Sequence, residues 1–322
     1  MDAGKEVAVD EDALVHLERF AGLPVVEFEF DDAPEPGERV AWRVRTDSGP
    51  AEDTEEFAQV FDRFLDTVDT TAVTHLIIGY WGYDVSREMP RQLLLEAAPR
   101  LPNLRALFFG EIIREEAEIS WIEQCDITPL LHAYPALERL DVRGGAGLEL
   151  SALSSPALKV LRIETAGLDP AVIRAIGRSD LPNLQTLELW LGIQERGGRA
   201  TAADLAGILS GERLPALTRL GLMNSEIQDE ICAAVATAPV VARLLELDLS
   251  MGALTDDGAE ALLSGQPLTH LVELDLRHHY LTVPMVKRLR AALAPVKMLL
   301  IDTAEEDHPD EGTYAWYVAV GE

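Results

Sequence analysis

The sequence predicts an α/β fold: a right-handed solenoid with parallel strands on a concave face and helices on a convex face. Two observations carry this expectation. A phrase of the form apolar-x-x-apolar-x-apolar recurs nine times in chain order, beginning at Val73, Leu104, Leu137, Leu158, Leu184, Leu217, Leu244, Leu271 and Val296, and self-similarity at a period of about 20–50 residues is the mark of stacked repeats. Within each copy the fourth and sixth positions are apolar while their neighbours vary, the two-residue period of a strand with one buried face. Between copies the pattern turns helical. A strand and a helix cannot bury both apolar faces alone, so successive units must stack strand beside strand and helix beside helix.

The elements follow in order. Residues 1–72 form an N-terminal cap, in which the alternating runs Val25–Phe30 and Val40–Arg45 flank the turn-rich DDAPEPGE and predict a two-stranded hairpin. Phe57, Val60, Phe61, Phe64, Leu65 and Val68 then recur at helical spacing. The nine repeats occupy 73–302. Asp169-Pro170 supplies a capping side chain followed by proline at the first helical position, and Thr201, Thr255 and Thr282 stand where they can cap later helices. The copy at Leu137 is short, so Gly144 to Ala157 has room only for a turn. Residues 303–322 read as an acidic loop and a closing strand, Tyr314 to Val320, which caps the far end of one continuous structural domain.

The stretch LLELDLSMGALTDDGAEALL, Leu244 to Leu263, resembles the ribonuclease-inhibitor type of leucine-rich repeat, where a strand leads into an L-T-D-x-G-A-x-x-L turn and helix. EISWIEQCDITPLL, Glu118 to Leu131, followed by PALERLDVRGG, is similar to a bacterial cytoplasmic leucine-rich-repeat family sometimes encoded beside radical-SAM and ATP-grasp enzymes. The first resemblance implies a horseshoe. The second brings no catalytic residue with it.

Composition narrows the partners. Of 322 residues 48% are hydrophobic, which supports a sizeable core, and 27 basic against 56 acidic side chains leave a net charge of -29. That charge opposes binding to nucleic acid or to an anionic membrane. The acidic stretch after Met1 lacks the basic and apolar regions of a signal peptide, and no apolar run approaches the roughly 20 residues of a membrane span. Cys125 and Cys232 read as reduced core thiols, and a cytoplasmic location is expected.

In a horseshoe the third, fifth and seventh positions of each phrase point into the concave face. The candidate partner contacts are therefore Phe108, Arg139, Asp141, Arg143, Arg162, Glu164, Glu188, Trp190, Arg219, Glu246, Asp248, Glu273, Asp275, Arg277 and Asp302. Early copies present apolar groups, middle ones gather arginines, and late ones gather carboxylates. Phe108 and Trp190, if exposed, are the natural anchors, and the late acidic cluster would steer a basic protein surface.

The chain holds no Gly-x-x-x-x-Gly-Lys, Gly-x-Ser-x-Gly or His-Glu-x-x-His motif. Gly144-Gly145-Ala146-Gly147 reads as a turn. His278, His279 and the acidic surroundings of His308 imitate a metal site, yet consecutive strand residues point to opposite faces. No cofactor or metal is expected. The expected function is a non-catalytic scaffold holding a protein partner, with the oligomeric state left open. The alternative is an accessory or enzymatic role in a small-molecule pathway, with a site near the 111–128 insertion involving Trp81, Tyr83, Trp121 and Glu123.

Overall fold

The computed structural model describes residues 15–35, 37–47, 56–82, 85–300 and 316–321. Among the described residues, twelve strands follow one another in chain order within a long, mostly parallel sheet, accompanied by eight α-helices. The chain forms two compact units, residues 1–149 with 157–160, and residues 150–156 with 161–322.

In the first unit, β1 (Arg19–Phe20) and β2 (Leu23–Glu27) pair antiparallel around Ala21 and Gly22, whose φ values of 48° and 84° are those of a type I′ turn. The hairpin expected between the two alternating runs is not formed. β3 (Ala41–Val44) instead lies parallel to β2, with Val25 opposite Ala41 and Glu27 opposite Arg43. The reason lies in the connection: the chain leaves β2 through Glu29 at φ 70°, and the intervening stretch is long enough to return to the starting end, as a parallel pair requires. Phe28 then packs against Trp42 and against Phe64 of α1 (Phe57–Thr67). The helix is where the periodicity placed it, with Phe57, Val60, Phe61, Phe64 and Leu65 buried.

Three repeat strands continue this unit in parallel: β4 (His75–Ile78), β5 (Ala106–Phe109) and β6 (Arg139–Arg143). Leu76, Leu107 and Leu140 stand in register on them and are fully buried, so the fourth phrase position forms a continuous apolar row. Helices α2 (Met89–Ala97) and α3 (Thr128–Ala133) lie in the connections. Gly144 to Ala157 contains no helix, as its shortness predicts.

β7 (Val160–Glu164) is the strand of the Leu158 phrase. The second unit repeats the same logic with β8 (Thr186–Gly192), β9 (Arg219–Ser225), β10 (Glu246–Asp248), β11 (Glu273–Asp275) and β12 (Lys297–Leu299). Leu187, Leu220, Leu247 and Leu274 are in register and buried. The helices are α4 (Pro170–Arg178), α5 (Ala206–Ser210), α6 (Gln228–Val235), α7 (Asp256–Ser264) and α8 (Val283–Ala292).

Three of the four expected caps are made. Asp169 Oδ1 accepts from Ala171 N at 2.6 Å, Thr255 Oγ1 from Asp257 N at 3.3 Å, and Thr282 Oγ1 from Met285 N at 3.4 Å. Thr201 does not cap α5, which begins at Ala206; its hydroxyl bonds Asp204 instead. Asp169→Ala is expected to lower stability by about 1 kcal/mol, because the N-terminal donors of α4 lose their acceptor; a urea midpoint unchanged from wild type would contradict this.

The ninth phrase is displaced by one residue from the sequence reading. Lys297, not Met298, stands opposite Glu273, and the two form an ion pair at 2.6 Å. A slip of one residue moves every side chain to the other face, so Lys297 replaces Met298 on the variable face. Asp302 lies outside the described residues. So do His308 and Tyr314, while residues 316–321 form no strand: their backbone groups bond single side chains and one carbonyl rather than a ladder.

Candidate functional site

The leucine rows face the helices, which leaves the third, fifth and seventh phrase positions on the opposite face of the sheet. In the first unit that face is covered by the chain itself. Phe20 of β1 sits 6.0 Å from Phe108, in a cluster with Ala41, Ile77 and Ala106. Phe108 is therefore only 1% exposed and is not an open anchor, a correction to the sequence reading. The guanidinium of Arg143 lies 5.3 Å over the Phe108 ring and that of Arg139 5.1 Å over the Phe20 ring. Arg139 forks onto Asp141 at 2.7–3.1 Å, and Arg143 donates to Ile112 O at 3.0 Å.

Glu111, fully buried just after β5, holds this cover in place. It accepts from Leu17 N at 2.8 Å, from Arg43 Nε and Nη2 at 2.9 and 3.0 Å, and lies 3.1 Å from His16 Nδ1. Burial opposes its charge, but the His16 hydrogen bond and the nearby Arg43 charge hold its carboxyl below the usual range. Burial likewise pulls His16 down, and the hydrogen bonds to Glu111 and Glu116 outweigh it, raising His16 to about 9. No motif marks Glu111 or His16; only the folded register brings together residues 95 positions apart.

In the second unit the arginines and carboxylates alternate rather than segregate. Arg162 is placed between Glu164 and Glu188 at 3.2 and 2.5 Å, and Arg219 bridges Glu188 and Glu246 at 2.6 and 2.7 Å. The division into basic and acidic zones is thus replaced by a chain of ion pairs. The seventh-position Trp190 is 1% exposed and is core, not an anchor. The fifth positions are also sunken, because neighbouring strands about 4.8 Å away crowd them on both sides: Glu188, Asp248 and Asp275 are buried. The third positions form the accessible rim, with the Arg219 and Glu246 side chains 42% and 39% exposed.

Asp248 and Asp275 stand directly opposite one another on β10 and β11. Arg277 forks onto Asp275 at 2.5–3.0 Å. Asp248 accepts from Ser250 N at 3.0 Å and, among the described residues, has no ion pair. Burial and then the Asp275 charge push Asp248 up to about 7.

The 111–128 insertion carries Trp121, 58% exposed, and exposed Glu123, whereas Trp81 is buried with its ring stacked on Phe109. Tyr83 lies outside the described residues. His278 and His279 each meet a backbone group: His278 Nε2 lies 2.9 Å from Tyr317 O, and His279 Nδ1 accepts from Leu281 N at 3.2 Å. Among the described residues no group of three or more His, Cys, Asp or Glu could hold a metal ion, and no helix is long and apolar enough to cross a membrane. Both cysteines are free and buried, and burial raises both thiols, Cys125 to about 11.

An in-order, mostly parallel sheet with helical connections and a face of interlocked charges defines an α/β repeat protein. No family model matches the chain. No curated protein matches it. Among solved structures, the crystal structure of a protein from Bacteroides fragilis, a structural-genomics target, superposes with a TM-score of 0.74 at 30% identity, covering 82% of this chain and 73% of that one. The chain belongs to the same family as that Bacteroides protein.

Proposed function

We propose that this chain is a non-catalytic scaffold of the ribonuclease-inhibitor type of leucine-rich repeat, and that it holds a basic protein partner on the variable face of its second unit. The observation that carries this reading is the Asp248–Asp275 pair. Two carboxylates stand in register; Asp275 is paired with the Arg277 guanidinium, whereas Asp248 has no ion pair among the described residues and is left at a raised pKa. A partner's lysine or arginine set against them would relieve that repulsion, and the rim carboxylates Glu246 and Glu273 would steer it there. Binding follows from rim charge and sunken carboxylates rather than from aromatic anchors, since Phe108 and Trp190 are buried.

The test uses the full chain and a Glu246→Lys/Glu273→Lys chain as parallel baits, both changes lying at the rim, with circular dichroism to establish that both chains are folded. A specific partner should be retained by the first, lost by the second and released from the first as salt is raised. Equal recovery by both baits would overturn the reading.

A further inference from the structure

Three consecutive repeats hold a non-glycine residue in the left-handed region at the same repeat position: Asn224 at φ 54°, next to the last residue of β9, Met251 at φ 67°, three residues past β10, and His278 at φ 55°, three residues past β11. Asparagine and histidine are among the residues that enter that region most readily, but methionine adopts it only under constraint from its surroundings, and strained conformations of that kind cluster at functional sites. Here all three meet one extended segment, residues 316–321.

The contacts run backwards through the repeats. Tyr317 lies at His278 and Tyr280, with His278 Nε2 2.9 Å from Tyr317 O, while the Tyr280 hydroxyl donates to Tyr317 O at 3.0 Å and accepts from Tyr317 N at 2.8 Å. Ala319 N donates to Met251 O at 2.8 Å. The Asn224 amide then reads both backbone groups of one residue, donating to Val320 O at 2.7 Å and accepting from Val320 N at 2.9 Å. All of these bonds go to backbone atoms of the segment. Side chains add a short apolar code: Trp316 packs on Tyr280 with ring centroids 4.6 Å apart, and Val318 is buried.

We propose that this ledge of Asn224, Met251, His278 and Tyr280 is a recognition site for an extended peptide, and that it accepts the 316–321 segment of a second copy of this chain in exchange for its own. The chemistry supports exchange. Recognition through backbone N–H and C=O groups, completed by a side-chain amide and a hydroxyl, is the logic of strand addition. The segment contributes no strand to the sheet, and every bond it makes is the same whichever copy supplies it. This site rests on hydrogen bonds and apolar contact, so it stands apart from the charge-based face proposed above and should respond little to salt.

The test keeps the full chain. Val320→Pro removes the N–H that Asn224 reads and opens the ledge while leaving it intact. Asn224→Gly keeps the left-handed backbone but deletes the amide, and Tyr280→Phe deletes the hydroxyl while keeping the ring beneath Trp316. A labelled WYVAVG peptide should bind the Val320→Pro chain, and adding either ledge substitution should weaken it at least about tenfold, the loss expected for one or two hydrogen bonds. Mixed Val320→Pro and Asn224→Gly chains, one with a sound ledge and the other with a sound segment, should give a heterodimer by native mass spectrometry. If circular dichroism shows all variants folded, absence of peptide binding would overturn the recognition site, and peptide binding without heterodimer would overturn exchange between copies. Loss of the peptide on Glu246→Lys/Glu273→Lys would also count against it, since those carboxylates belong to the other face.

Discussion

Replacing Glu111 with alanine is expected to destabilise the protein by about 3–5 kcal/mol, the usual cost of stripping one partner from a buried ion pair. Glu111 is fully buried, and its carboxylate is the shared acceptor for Arg43, His16 and the backbone of Leu17. Without it the Arg43 guanidinium stays buried with Glu27 as its remaining carboxylate, and the segment carrying Phe20 is held there by the Arg43 bond to Leu17 O without the Glu111 anchor. Urea unfolding should show the loss, and hydrogen exchange should show earlier opening of Leu17 to Phe20. Protection of that segment unchanged from wild type would mean that Phe20 packing and the Arg43 bond alone retain it. The network also has a pH signature. His16 has a raised folded pKa, so its contribution is complete below the unfolded value of 6.5 and is lost as pH rises through about 9. Glu111 is depressed below 4.5, so its contribution is present above that value and is lost as pH falls further. The segment is therefore held most firmly between about 4.5 and 6.5 and loosens toward pH 9.

Asp248→Asn should have the opposite sign and raise stability at pH 7 by up to about 4 kcal/mol, at about 1.36 kcal/mol per pKa unit. Burial and the facing Asp275 lift Asp248 from 3.8 to about 7. Between those values the folded state holds a proton that the unfolded chain has released, so wild-type stability falls as pH rises from about 4 to 7. Melting temperatures measured across that interval should slope downward for wild type and flatten for the asparagine variant. Equal slopes would show that Asp248 is ionised at little cost in the native state. The same substitution should weaken a basic partner, so stability gained and binding lost would appear in one variant.

The repeat strands were legible because each is specified locally. The fourth-position leucine and the apolar sixth residue of a phrase, such as Leu220 and Leu222 or Leu140 and Val142, recur in every copy, and burial demands apolar residues there wherever a strand backs onto a helix. Caps at Asp169, Thr255 and Thr282 are equally local. The ninth phrase, read as VKMLLI, was misplaced because apolar residues occupy both faces there, and period two alone cannot choose between registers one residue apart; the Lys297–Glu273 pair chooses. The hairpin expected near the N-terminus failed for a related reason. Alternation specifies strands but not their relative direction, and the packing of Phe28 with Trp42 and Phe64 goes with the parallel arrangement.

The sequence by itself determined the order of the repeat strands and, up to the eighth phrase, the leucine rows and which side chains share the variable face, because these follow from repetition and from the periods of strand and helix. Tertiary structure alone decided which of those side chains remain accessible. Phe108 is covered by Phe20, Trp190 is enclosed, the arginines are paired with carboxylates, and residues 316–321 lie along the ends of β9, β10 and β11. Each of these outcomes depends on contacts between residues far apart in the chain, and no periodicity in the sequence encodes such a contact.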